Sequence, residues 1–232
     1  MTMPFYVSPE QVMADKAEFA RKGIARGKSI VALEYDTGVL LIAENATSLS
    51  KVGEIYDRIA FAGVGKFSEF DMLRKIGVRF ADSRGYQYSR EDVRGKALAN
   101  AYSQAVGEAF TREMKPLEVE LIVAEVGDDS LAGHEQNSLY RVKFDGFISD
   151  HKGFCVIGGN VEDVQSVLDD DYRDGMTQGD AVNLGLKALT RGATDNGSLD
   201  ATKLEVCILD RLRDGRKFVR LSAEVVQGML SE

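Results

Sequence analysis

The stretch IVALEYDTGVLLIAE, from Ile30 to Glu44, constrains the fold of this chain more than any other. It contains two apolar segments, and neither alternates between apolar and polar residues as a strand with one solvated face would. Between them, Asp36-Thr37-Gly38 has the composition of a tight turn, with glycine at the position that favours a positive φ. The stretch therefore predicts two strands, Ser29–Tyr35 and Val39–Ala43, buried on both faces.

The rest of the chain predicts groups of strands that alternate with groups of helices. The predicted helices are Ser8–Ala25, Phe67–Ala81, Asp92–Arg112, Val161–Leu168, Asp180–Thr190 and a last one that begins at Ser222. The further predicted strands are Lys51–Ile55, Ile59–Gly63, Val119–Val126, Leu139–Phe144, Phe147–Ile157 with a break near Asp150, Leu204–Asp210 and Lys217–Arg220. This order differs from βαβ repeats. It indicates an α+β protein in which two antiparallel sheets stack face to face and helices cover both outer faces.

Composition narrows the classes of function. The chain has 232 residues, 44% of them hydrophobic, and a formal net charge of −8. We expect no nucleic-acid partner, because the charge is negative and no clear basic patch is present. Without a secretory signal or an apolar run long enough for a membrane span, we expect a cytoplasmic protein with no membrane partner. Cys155 and Cys207 lie in strand-like apolar runs, which predicts two buried free thiols.

Two short motifs suggest chemistry that their context does not support. Gly27-Lys28-Ser29 lacks the glycine spacing of a phosphate loop, and a helix precedes it where a strand is needed. The single Asp-Thr-Gly at Asp36 fits a hairpin turn better than an aspartic protease, which needs two such carboxylates. His134 and His151 lie in predicted loops without acids or cysteines at metal-ligand spacing. We therefore expect no metal site and no cofactor.

The segment EFARKGIARGKSIVALEYDTGVLLIAEN resembles the start of proteasome α-subunits. Glu18, Phe19, Ala20 and Arg21 match a Glu-aromatic-Ala-Arg signature on the N-terminal helix of that family. SKVGEIYDRIAFAGVG resembles the next strand pair, and LEVCILD with RKFVRLSAEVV resembles the C-terminal strands and last helix. The resemblance runs from about Ser8 to Met229 and is to the bacterial type found in actinobacteria.

The resemblance implies the four-layer αββα sandwich of N-terminal-nucleophile hydrolases, with an added N-terminal helix. It implies a gating tail and helix over residues 1–27 and a sandwich over residues 28–232, together one globular domain. The implied partners are six further copies in a heptameric α ring, β-subunits in an α7β7β7α7 particle, and a ring-shaped ATPase or other activator. A ring of one chain type closes through heterologous interfaces.

The resemblance also assigns roles to single residues. Lys28 stands where catalytic β-subunits carry a nucleophilic N-terminal threonine, and Glu44 stands at the position of a supporting aspartate. These two positions are therefore degenerate, and the chain is expected to be non-catalytic. Lys51 matches a lysine that receives the C-terminal carboxylate of activators, and Gly65 matches a glycine of the same pocket.

The first residues match the gate that closes the ring axis in this family, although its Tyr-Asp-Arg motif is absent. These gate residues are Met1, Thr2, Met3, Pro4, Phe5, Tyr6, Val7 and Ser8. An active N-terminal-nucleophile amidohydrolase is the alternative, and it would require self-cleavage that frees a residue such as Ser29. A regulatory nucleotide-binding protein is a third possibility.

Overall fold

A computed structural model describes residues 8–45, 47–130, 136–193 and 199–231 of the chain. The helices in these ranges are α1 (Pro9–Ala25), α2 (Phe67–Gln87), α3 (Gly95–Arg112), α4 (Val161–Asp171), α5 (Gln178–Gly192) and α6 (Ala223–Ser231). The strands are β1 (Ile30–Tyr35), β2 (Gly38–Glu44), β3 (Val52–Tyr56), β4 (Ile59–Gly65), β5 (Val119–Glu125), β6 (Ser138–Val142), β7 (Ile148–His151), β8 (Phe154–Ile157), β9 (Leu204–Asp210) and β10 (Phe218–Arg220). Short 3₁₀ turns precede α3 and β9.

The strands form two antiparallel sheets. The first sheet has the order β10-β9-β2-β1-β8 and the second has the order β3-β4-β5-β6-β7. Every ladder between neighbouring strands is antiparallel. The predicted arrangement of two stacked sheets covered by helices is therefore confirmed.

Three apolar clusters hold the layers together. The middle cluster joins the facing sides of the sheets, with Leu41 from the first and Ile122 from the second, both fully buried. The second cluster packs α4, α5 and α6 on the outer face of the first sheet, and the third packs α2 and α3 on the second. Since β1 and β2 have helices on one side and a sheet on the other, they are buried on both faces, as their sequence predicts.

The hairpin predicted at Asp36-Thr37-Gly38 is confirmed, but the reason given for its glycine is wrong. β1 pairs with β2 in a register that joins Tyr35 to Gly38. Gly38 is not among the positive-φ glycines of the described residues. A Cβ there would lie 1.9 Å from the carbonyl oxygen of Leu209 on the neighbouring strand. Glycine is required at this position because β9 approaches it closely. The residues of the turn alone do not indicate that approach.

Several predicted boundaries differ from those in the structure. α2 ends at Gln87 instead of Ala81, and its last turns pack Gly85 against the hydroxyl of Tyr56. α3 begins at Gly95, because a separate 3₁₀ turn occupies Arg90–Asp92. The break predicted near Asp150 is present and lies at Lys152 and Gly153, where the φ of Gly153 is +81°. The two halves, β7 and β8, belong to different sheets.

Cys155 and Cys207 are both free and buried, which confirms the prediction made from their apolar surroundings. Burial raises the pKa of both thiols to about 12. They therefore act as small apolar core residues. Across the described ranges, no helix is long and apolar enough to cross a membrane.

Candidate functional site

Lys28 and Glu44 meet at one end of the β1–β2 hairpin. Ile30 pairs with Ala43 in the ladder, so the residues just beyond this pair lie at the same sheet end. The Lys28 ammonium is 3.2 Å from a carboxylate oxygen of Glu44, and the Glu44 side chain is 18% exposed. Both residues line a cavity of about 360 Å³ between the end of α1 and the start of α4.

Ser29, which follows Lys28 in the chain, is held inside the fold. It is 7% exposed, and its hydroxyl donates a hydrogen bond to the carbonyl oxygen of Gly158 at 3.1 Å. The chain continues from Ser29 through Lys28 back to α1, so its backbone nitrogen is an amide and cannot serve as a base. The corner thus holds a buried, hydrogen-bonded hydroxyl beside a lysine that is ion-paired with Glu44.

Lys51 precedes β3 and reaches the same corner from the other sheet. Its ammonium donates a hydrogen bond of 2.8 Å to the backbone carbonyl oxygen of Glu44. Burial lowers the pKa of Lys51, while the carboxylates of Glu44 and Glu205 oppose that shift and Lys28 adds to it. Glu44 therefore contacts two lysines: its carboxylate pairs with Lys28, and its backbone carbonyl accepts a hydrogen bond from Lys51.

Gly65 lies at the same end of the β3–β4 hairpin as Lys51. The amide of Gly63 donates to the carbonyl of Lys51 at 3.0 Å, and Gly65 follows two residues later. The φ of Gly65 is +107°, and a Cβ on Gly65 would lie 1.9 Å from the carbonyl oxygen of Glu118. A Cβ on Gly27 would lie 3.4 Å from the Gly65 nitrogen. The structure therefore brings Lys28, Glu44, Lys51 and Gly65 to one corner of the sandwich.

Glu205 is a residue of this corner that the sequence did not single out. It lies on β9, is 7% exposed, and accepts hydrogen bonds from the backbone amides of Lys51 at 2.9 Å and Val52 at 3.1 Å. It also accepts from the Asn45 side-chain amide at 2.7 Å and forms an ion pair with Arg220. The signal for it in the sequence is a glutamate inside the otherwise apolar run LEVCIL.

The predicted gate residues lie almost entirely outside the described residues, which begin at Ser8. Ser8 is the N-cap of α1: its hydroxyl accepts a hydrogen bond from the Gln11 amide at 3.2 Å, and Pro9 is the first helical residue. This last member of the predicted gate segment therefore has a structural role in starting the helix.

Of the two histidines, His134 lies outside the described residues and His151 belongs to the second sheet. His151 was predicted to lie in a solvated loop, and this prediction is wrong: it belongs to β7, pairs with Leu139 and is half-buried. Its ring nitrogen Nε2 lies 2.9 Å from the Ser149 hydroxyl, and burial lowers its pKa. Among the described residues, no group of three or more His, Cys, Asp or Glu side chains could hold a metal ion.

Comparison with known proteins identifies the class to which this two-sheet sandwich belongs. The family model described as "Proteasome subunit" matches residues 24–209. The chain therefore belongs to the proteasome subunit family, and the predicted αββα sandwich of the N-terminal-nucleophile type is confirmed.

Within that family the chain is an α subunit. Proteasome subunit alpha of Xylanimonas cellulosilytica is 53% identical over 230 residues, covering 95% of this chain and 93% of that protein. The α subunit of Saccharopolyspora erythraea is 48% identical over 99% of this chain and 89% of its own length. The α subunit of Thermobifida fusca is 48% identical over 100% of this chain and 92% of its own length. An α subunit implies an assembled proteasome that also contains β subunits and degrades proteins.

Proposed function

We propose that this chain is a non-catalytic, cytoplasmic α-ring subunit that gates substrate entry, supports the β ring and docks an activator. Seven copies would form each outer ring of an α7β7β7α7 particle. The observation that carries the proposal is the corner at Lys28, which would be the nucleophile position of a catalytic subunit. A lysine paired with Glu44 occupies it, and its side chain has no hydroxyl that could attack as the threonine of a catalytic subunit does.

The α1 helix supplies a surface suited to the proposed ring. Val12, Phe19 and Met114 are 39%, 47% and 97% exposed, and they line an open groove of about 480 Å³ together with Pro116. We infer that α1 packs against a neighbouring copy through this apolar patch, because large exposed apolar side chains grouped together are typical of interfaces. A heterologous contact at this patch would have to close after seven copies.

The absence of catalysis can be tested by comparing the chain alone with the chain assembled with its β partner. We expect the isolated chain to show no hydrolysis of a fluorogenic peptide and to keep its full mass, because it has no free N-terminal threonine, serine or cysteine at the sheet corner. The assembled particle should hydrolyse the peptide. Hydrolysis by the isolated chain, together with a mass loss corresponding to cleavage before Ser29, would support the amidohydrolase alternative instead.

The docking role predicts a specific effect of Lys51→Ala. A hydrogen bond between an ammonium and a carboxylate contributes about 1.5–3 kcal/mol, and several activator tails bound at once multiply that loss. We expect the concentration of a ring-shaped ATPase that half-maximally stimulates peptide hydrolysis to rise at least tenfold. Because burial lowers the pKa of Lys51, stimulation should also be lost as pH rises through that lowered value, before an ordinary lysine deprotonates.

Lys187→Ala is the matched control for Lys51→Ala. Lys187 is ion-paired with Asp171 at 2.7 Å, lies on α5 and has a side chain that is 65% exposed. The activator concentration for half-maximal stimulation should not change in this variant. Equal effects of the two substitutions would mean that general surface charge, and not a site at Lys51, attracts the activator.

A further inference from the structure

Glu205 is a buried carboxylate with four donors directed at its two oxygens. One oxygen accepts from the Lys51 amide and the Asn45 side chain, and the other accepts from the Val52 amide and Arg220. Burying a charged carboxylate is costly unless it is paired and hydrogen-bonded. This complete set of partners explains how Glu205 is tolerated at 7% exposure within an apolar strand.

The contacts of Glu205 connect the two sheets at this corner, together with the hydrogen bond from the Lys51 ammonium to the Glu44 carbonyl. Glu205 lies on β9 of the first sheet, whereas Lys51 and Val52 lead into β3 of the second. β9 also pairs with β2, in a register that joins Leu204 to Glu44. Glu44 is the residue whose carbonyl receives the Lys51 ammonium. The backbone and the side-chain end of Lys51 are therefore both anchored to the β2–β9 strand pair.

We propose that Glu205 is a positioning residue that holds Lys51 in place to receive the C-terminal carboxylate of a docking partner. This inference rests on the proposed docking role of Lys51 and adds the residue on which its geometry depends. Glu205 fixes the Lys51 backbone, so only the side chain has to rearrange when the ammonium exchanges the Glu44 carbonyl for a carboxylate. Preorganisation of this kind lowers the entropic cost of binding.

Glutamine cannot replace Glu205 in this role, although it has nearly the same shape. Both carboxylate oxygens act as acceptors from two donors each. In either orientation, the amide group of glutamine would place its own N–H donors against two of those four donors. The Lys51 or Val52 amide then loses its acceptor, and the start of β3 shifts away from β9.

The test uses particles assembled with the β partner and a peptide probe whose one defined feature is a free C-terminal carboxylate. The probe is a fluorescein-labelled mixture of randomised heptapeptides with free C-terminal carboxylates, and the same mixture with C-terminal amides is the reference. Fluorescence anisotropy gives the carboxylate-dependent dissociation constant. We expect Lys51→Ala to raise it at least tenfold and Glu205→Gln to raise it about fivefold.

Two further variants separate positioning from general destabilisation. In the Lys51→Ala background, Glu205→Gln should add no further loss, because Glu205 acts through Lys51. Glu125→Gln is the matched control: Glu125 is 4% exposed, accepts from the Gly95 amide at 2.8 Å and lies near Arg58 and Arg94. Glu125 and Val119 lie at the two ends of β5. Val119 is the ladder partner of Gly65, so Glu125 lies at the end of β5 away from the candidate site. Glu125→Gln should lower the melting temperature without changing the carboxylate-dependent affinity.

The outcomes distinguish this inference from the function on which it rests. If the unaltered particle shows no carboxylate-dependent binding, or if Lys51→Ala does not weaken it, the docking site itself is wrong and the positioning role falls with it. If Lys51→Ala weakens binding but Glu205→Gln does not, docking at Lys51 stands and the positioning role is overturned. The positioning role is also overturned if Glu205→Gln costs as much in the Lys51→Ala background as in the unaltered chain, or if Glu125→Gln weakens binding equally.

Discussion

Particles assembled from a chain that lacks residues 1–7 are expected to hydrolyse short peptides several-fold faster than particles with the full chain. In the proposed function, this segment of each copy would meet at the ring axis and limit entry to the β subunits. Its removal opens the path without altering the catalytic sites. Peptide hydrolysis by the two particles, at equal particle concentration and without activator, measures the effect.

The deletion stops before Ser8 because that residue caps α1. Ser8→Ala in the full chain is the control, and it should cost about 1 kcal/mol of helix stability with little change in hydrolysis. If the two particles have equal rates, residues 1–7 do not limit entry. A rise in the Ser8→Ala control as large as that in the deletion would mean that a weakened α1, and not the missing segment, opens the particle.

Gly65→Ala is expected to be the most destabilising single substitution at the candidate site. Its φ of +107° is unfavourable for any residue with a Cβ, at a cost of about 1–3 kcal/mol. The new Cβ would lie 1.9 Å from the Glu118 carbonyl oxygen, and relieving this overlap requires the β4–β5 ladder to shift, for about 1–3 kcal/mol more. Urea unfolding followed by tyrosine fluorescence should show a loss of roughly 2–6 kcal/mol.

Gly215→Ala separates the two causes of that loss. Gly215 also has a positive φ, +69°, but a Cβ there would meet no atom within 4 Å. Its substitution should therefore cost only the backbone term, about 1–2 kcal/mol. If Gly65→Ala were no more destabilising than Gly215→Ala, the close contact with Glu118 would be relieved without disturbing the sheet, and Gly65 would not be required by packing.

The sequence predicted the layers of this fold because their cause is local. β1 and β2 are apolar on both sides, and that composition is explained only by a strand covered on both faces. The hairpin between them was also recoverable from its turn residues. The requirement for glycine at position 38 could not be predicted in this way, because it arises from Leu209 on a strand that is distant in sequence.

The candidate site was recoverable only in part, for the same reason. Lys51 and Gly65 were proposed through the family resemblance, and the structure places them at one sheet end. Glu205 could not be connected to Lys51 by any spacing rule, because 154 positions separate them. Only the register of β9 beside β2, and the stacking of the two sheets, bring its carboxylate to the start of β3.

The contacts around Val52 also affect how the sandwich meets other chains. β3 is the edge of its sheet, and an uncovered edge can pair with a strand of another molecule. Here the outward amide of Val52 is bonded to Glu205 and its carbonyl accepts from Arg220 at 2.7 Å. Further along, the carbonyl of Asp57 accepts from the Lys217 amide. The opposite sheet thus occupies the outward backbone groups at the start of this edge, and the segment before β10 occupies the turn that follows it, so both contacts hinder strand-to-strand pairing before the subunits assemble.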